Sequence, residues 1–108
     1  MSSEVYSVRL RLNTGEQDVT TTDEHFGAVV CVRANNDTNS TENIASITDT
    51  TTGLDVMGNA TTADITAGAS AQYEQTEMGG TAIAGKLKLS LASVAGTGTF
   101  DAYVYIAP

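Results

Sequence analysis

The clearest alternation of apolar and polar residues lies near the two ends of the chain. In YSVRLRLN, Tyr6, Val8, Leu10 and Leu12 fall on one side while Ser7, Arg9 and Arg11 fall on the other. A period of two predicts a half-buried strand with a wet face. NTGE then supplies a turn, with Gly15 free to take a positive φ. QDVTTTDEH is polar and fits a short edge strand or a loop. In FGAVVCVRA, Val29, Val30, Cys31 and Val32 follow one another, which predicts a central strand covered on both faces. NNDTNSTEN contains no apolar residue and reads as an exposed loop. IASITDTTTGLDVMG predicts two short strands, around Ile44 and Ile47 and around Leu54 and Val56, joined through TTTG.

Between 59 and 80 the pattern is weaker. NATTADITAGASAQYEQTEMGG fits one strand near Ile65 and another near Tyr73, while AGASAQYEQ alone is also compatible with a helical turn. Gly68, Gly79 and Gly80 weigh against a long helix and favour strands. The C-terminal part is regular again. TAIAGKLKLSLASV places Ile83, Leu87, Leu89 and Leu91 on one face and Lys86, Lys88 and Ser90 on the other. After the AGTGT turn, FDAYVYIA places Phe100, Ala102, Val104 and Ile106 inward and Asp101, Tyr103 and Tyr105 outward. Two such strands joined by a glycine turn predict an antiparallel hairpin, with Lys86 or Lys88 across from Asp101 or the tyrosines on the outer face. FDAYVYIA is also β-prone and weakly charged, so it has to lie inside a sheet or against a neighbouring subunit. The whole is expected to be all-β: a single-domain antiparallel β-sandwich or small barrel of about seven to eight short strands over 1–108, with 1–4 as an N-terminal arm.

Composition agrees with that class. The chain of 108 residues has room for one modest core, and its excess of Thr and Gly with one Pro favours strands and turns. The charge adds something the pattern does not. Thirteen acidic residues against five basic ones leave a net charge of −8, which weighs against duplex nucleic acid and against an anionic membrane surface as partners. Lys and Arg are absent from Ala34 to Gly85, where Asp37, Glu42, Asp49, Asp55, Asp64, Glu74 and Glu77 fall. That stretch is expected to be a solvated acidic surface, the alternative being a face complementary to a basic partner or a cation. One cysteine excludes an internal disulfide, and MSSEVYSV lacks the basic and apolar regions of a secretory leader, so synthesis in a cytoplasm is expected, with retention there or release by lysis.

Catalytic chemistry is not written in the chain, and no enzyme activity or cofactor is expected. His25 and Cys31 are single examples of their type, and Cys31 sits in a valine-rich strand where a thiol is an ordinary small apolar residue. Two such ligands do not make a zinc site. No nucleophile elbow or phosphate-binding loop occurs. The acid pairs Asp23 with Glu24 and Glu74 with Glu77 lack the aromatic platform of a glycosidase cleft. DTNSTEN carries alternating oxygen groups but not the Gly and Glu positions of a calcium loop.

The acidic, Thr-, Ala- and Gly-rich composition, with GKLKLSLASVAGTGTFDAYVYIAP at its end, resembles the capsid decoration (cement) proteins of tailed bacteriophages. The resemblance implies a virion structural protein on the capsid exterior, made in the host cytoplasm. It would bind the major capsid protein as a homo-oligomer, with a trimer favoured, and stabilise the expanded shell by mass action. Ser2, Ser3 and Glu4 would act as the arm, and Tyr103 and Tyr105 would be the aromatics facing a partner. The alternative is a carbohydrate- or receptor-binding β-sandwich of a fibre or spike, for which Tyr73 in its Gly-flanked region is the candidate exposed aromatic. Another small head or tail role is the third reading.

Overall fold

The computed structural model describes residues 4–58, 62–78 and 82–108. Its strands are β1 (Tyr6–Asn13), β2 (Asp18–Thr20), β3 (His25–Thr38), β4 (Ile44–Asp49), β5 (Ser70–Glu74), β6 (Ala82–Gly85), β7 (Leu87–Leu91) and β8 (Gly98–Ala107), with one 3-10 turn at Gln75–Glu77. They form two antiparallel sheets. The larger has the order β1-β8-β3-β5, with β6 also pairing β3, and the smaller has the order β2-β7-β4. Leu10 and Leu12 of β1, Val29, Val32 and Ala34 of β3, Ile44 and Ile47 of β4, the three leucines of β7, and Phe100, Ala102, Val104 and Ile106 of β8 close over one another as the core. Two sheets packed face to face make this a sandwich, and the apolar alternation of each strand is what turns one face inward.

The expected hairpin between KLKLSL and FDAYVYIA does not form. Those strands lie in different sheets and face each other across the core. β7 takes β2 and β4 as its neighbours, whereas β8 runs between β1 and β3. The segment after β7 crosses between the sheets, held by Ala92 N–H donating to Asn43 O at 2.9 Å and Ala95 N–H to Glu16 O at 2.8 Å. Matching apolar faces are satisfied by stacking as well as by pairing, and period two does not distinguish them. Lys88 therefore stands across from Thr20 and Thr48. Asp101 instead receives Arg11, at 2.8 and 2.9 Å.

Two further expectations change. β3 is central, but only one of its faces is covered. A bulge between Val29 and Cys31 lets Val29 and Val32 both point inward, leaving Cys31 half-buried and Arg33 exposed outside. NNDTNSTEN is not an exposed loop either. β3 continues through it to Thr38, and Asn36, Thr38 and Glu42 are buried. Asn36 Nδ2 donates to Ser40 O at 2.9 Å and Ile65 O at 2.8 Å. Glu42 Oε2 accepts from Ser40 Oγ at 3.0 Å and Gly96 N–H at 2.8 Å, with Thr38 Oγ1 at 2.9 Å. A run of polar residues enters the interior here because its members satisfy one another. Asp37 points to the opposite face, where Asn35 Nδ2 donates to it at 2.9 Å, so its carboxylate stays apart from the cluster of Thr38, Ser40 and Glu42.

β5 meets the expectation of a strand near Tyr73, and QDVTTTDEH yields the short strand β2. Ile65 and Asp55 make isolated bridges to Glu42 and Thr48 rather than full strands. Residues 59–61, 79 and 80 of the weakly patterned stretch lie outside the described residues, as do Ser2 and Ser3 of the expected arm.

Asp49, the last residue of β4, joins the sheets where the chain changes from β6 to β7 through Lys86 alone. Its carboxylate is fully buried. Oδ2 accepts Ala84 N–H at 2.8 Å and Thr52 Oγ1–H at 2.9 Å, and Oδ1 accepts Thr51 N–H at 3.0 Å. Burial opposes ionisation, but these donors outweigh it and hold Asp49 below the usual carboxylate range. The unfolded chain, with Asp near about 4, takes up the proton first as pH falls. The stability from Asp49 is thus complete above about pH 4 and is lost as pH drops through its lower folded value. Asp49→Asn should cost about 2 kcal/mol at pH 7, with the gap to wild type narrowing below about pH 4 in melts followed by circular dichroism. Gly27 gives a backbone test. Its φ is +135°, and a Cβ there would lie 2.3 Å from Ala107 O. Gly27→Ala should lose about 2 kcal/mol or more, whereas Gly15→Ala, at φ +79° with open space around it, should lose about 1.

Candidate binding face

Because side chains alternate, the strands that bury one row must present another. On the outside of the larger sheet the register builds three complete rows. Ser7 stands across from Tyr105, Tyr105 from Cys31 and Cys31 from Glu74. Arg9, Tyr103, Arg33 and Gln72 form the next row, and Arg11, Asp101, Asn35 and Ser70 the third. Directly opposed side chains in such rows are about 5 Å apart at Cβ. All three arginines of the chain therefore share one face with the two outward tyrosines.

Their surroundings differ. Arg11 is held by Asp101 through two parallel hydrogen bonds, which fixes it as a bidentate ion pair. Arg9 and Arg33 have no carboxylate partner among the described residues. Beside Arg33 the polar side chains are already oriented: Ser70 Oγ–H donates to Asn35 Oδ1 at 3.0 Å, and Gln72 Nε2 donates to Glu74 Oε1. Arg33, Asn35, Ser70, Gln72, Tyr103 and Tyr105 line an open depression of about 550 Å³. Cys31, in the adjoining row, is half-buried; burial first, then Glu74, push its thiol up. His25 lies on the core side at the end of the sheet, its Nδ1 3.1 Å from Tyr6 Oη. The cysteine and histidine are thus on opposite faces of β3 and form no nucleophile–base pair.

The same outer face is apolar at its other end. Ala28 stands between Ala107 and Ala82, and Phe26 across from Ala84. Phe26 is 58% exposed and Val5, just ahead of β1, is 53% exposed. Large apolar side chains left so open beside a row of alanines make a flat surface that a second backbone can approach closely.

Of the residues singled out from sequence, Tyr103 and Tyr105 are half-buried on this face, and Glu4 is exposed at the N-terminal side of β1. Tyr73 is corrected. It stands across from Val32 on the core side of β5 at 5% exposure, and burial, with Glu77 near it, pushes its phenol up. It is a core residue and offers no exposed platform. Arg33, Asn35 and Gln72 were not singled out, because nothing in sequence brings 33, 72 and 103 together; only the pairing of β8, β3 and β5 does. No protein-family model matches the chain, and no characterised protein matches it either.

If Tyr73 belongs to the core, Tyr73→Ala should destabilise the fold by about 3 kcal/mol. Tyr103→Ala, on the outer face, should cost less than half as much. Urea melts of the two variants make the comparison.

Proposed function

We propose that the protein is a virion structural component: a decoration protein that attaches to the outer surface of a lattice of the major capsid protein and stabilises it, as a homo-oligomer with a trimer favoured. The observation that supports this reading is the apolar end of the outer face. Phe26 and Val5 are left more than half exposed, and Phe26 lies next to the row Ala107, Ala28 and Ala82, an apolar surface of the kind that marks a protein contact. The flat alanine row suits close packing on another protein, with Phe26 as the anchor of the contact. A module that binds only the assembled lattice shifts the equilibrium towards it. Linking several copies in an oligomer converts weak single contacts into firm attachment. Catalysis has no part in the role.

The test is co-sedimentation with expanded empty capsids of the virus that carries the protein. Wild type should saturate a fixed number of sites per shell. Phe26→Glu should lower occupancy by about tenfold or more while its melting temperature stays within a few degrees of wild type. Sedimentation velocity should give a mass about three times that of the 11.2 kDa chain, and a mass of one chain would end the oligomer reading. Absence of wild-type binding to any shell would end the decoration reading, and undiminished binding by Phe26→Glu would move the contact to another surface.

A further inference from the structure

We infer that the depression around Arg33 and Tyr103 is a binding site for a carboxylate-bearing saccharide. The site is separate from the Phe26 end and does not depend on attachment to a capsid.

Charge comes first. The chain carries −8 overall, yet its arginines are gathered on one face, and Asp101 neutralises only Arg11. Tyr103 stands between Arg9 and Arg33, neither of which has a carboxylate partner among the described residues. A guanidinium at the rim of a depression, with five donors in a fixed fork, is suited to a carboxylate. Of the cations without a carboxylate partner among the described residues, Arg33 is the one that lines a depression.

The rest of the lining indicates what carries the carboxylate. Tyr103 and Tyr105 give half-buried rings whose faces can stack on the C–H side of a sugar. Asn35, Ser70 and Gln72 give short polar groups, and their positions are fixed by bonds to one another and to Asp37 and Glu74. Aromatic faces beside oriented amides suit a ring bearing several hydroxyls. The volume of about 550 Å³ lies inside the range of roughly 300 to 1,000 Å³ usual for small-ligand sites. An acidic peptide fits less well. Main-chain recognition needs an unpaired strand edge, and the floor of the depression is β3, paired on one side to β8 and on the other to β5. Nucleic acid would bring a run of phosphates against a surface with few cations.

The experiment uses the full chain on an array of uronate- and sialic-acid-bearing oligosaccharides with their neutral counterparts. A glutamate-rich peptide is included, and hits are followed by ¹⁵N NMR titration. Binding should be confined to acidic glycans, with shifts centred on Arg33, Gln72 and Tyr103. Arg33→Gln should weaken it by about tenfold or more without changing the melting temperature, and Tyr103→Ala should weaken it as well. Phe26→Glu should bind the glycan as wild type does, which separates this site from the capsid contact. Absence of any acidic-glycan binding would overturn the inference. So would equal binding of the neutral counterparts, equal binding of the peptide at the same residues, or full retention of binding by Arg33→Gln.

Discussion

The alternation of side chains along β8 ties the interior of this protein to its outer surface. Phe100, Ala102, Val104 and Ile106 are fully buried, and burying side chains of that size contributes on the order of 2 kcal/mol each for the larger ones. The inward direction of that row dictates the outward direction of Asp101, Tyr103 and Tyr105. β1 and β3 flank β8 along most of its length, so the tyrosines sit mid-sheet with arginines on either side. The core cannot be kept while the face is rotated away, because a slip of one residue would exchange the two rows.

Around that apolar centre the fold uses buried polar groups at its corners. Asp49 ties β4 to β6 across the two sheets, and Glu42 gathers Ser40, Thr38 and Gly96 at the opposite end of β4. Neither is neutralised by a cation among the described residues; backbone N–H and hydroxyl donors do that work. No buried side-chain nitrogen or oxygen among the described residues is left without a partner. A carboxylate surrounded by donors at fixed positions accepts one geometry of the corner and disfavours others, since a misplaced corner leaves a buried charge short of hydrogen bonds. The sandwich thus combines a permissive apolar interior with two sites that fix how its sheets are joined.

The strands with strict alternation, β1, β7 and β8, were legible from sequence, as was the all-β class. Their neighbours were not. Leu87, Leu89 and Leu91 match Phe100, Val104 and Ile106 equally well as cross-strand neighbours or as facing layers, and only the actual bonding partners decide. Asn36, Thr38 and Glu42 looked solvated because their composition is polar; their burial depends on Ile65 O and Gly96 N–H, distant in sequence. In β5 the inward direction of Tyr73 was hidden because Ala71, the other inward residue, is small, while Gln72 and Glu74 suit a helix equally well. The binding face was half visible. Tyr103 and Tyr105 followed from period two, but their meeting with Arg33 and Gln72 is a product of register.

The bulge in β3 brings the two parts of the outer face onto one surface. Between Val29 and Cys31 the strand advances two residues while β8 advances one, from Ile106 to Tyr105. Val29 and Val32, three apart, can then both point into the core, which strict alternation forbids. Outward positions are re-phased at the same point: Phe26 and Ala28 face out before it, and Cys31, Arg33 and Asn35 face out after it. Were Val30 paired in regular alternation, burying Val29 would turn Arg33 inward against the apolar layer, and burying Val32 would turn Phe26 inward. By taking Val30 out of the pairing, the bulge lets a continuous core coexist with an outer face that is apolar at one end and arginine- and tyrosine-bearing at the other. The run Val29, Val30, Cys31 and Val32 is the trace of that insertion in the sequence, with Val30 as the residue that no partner on β8 opposes.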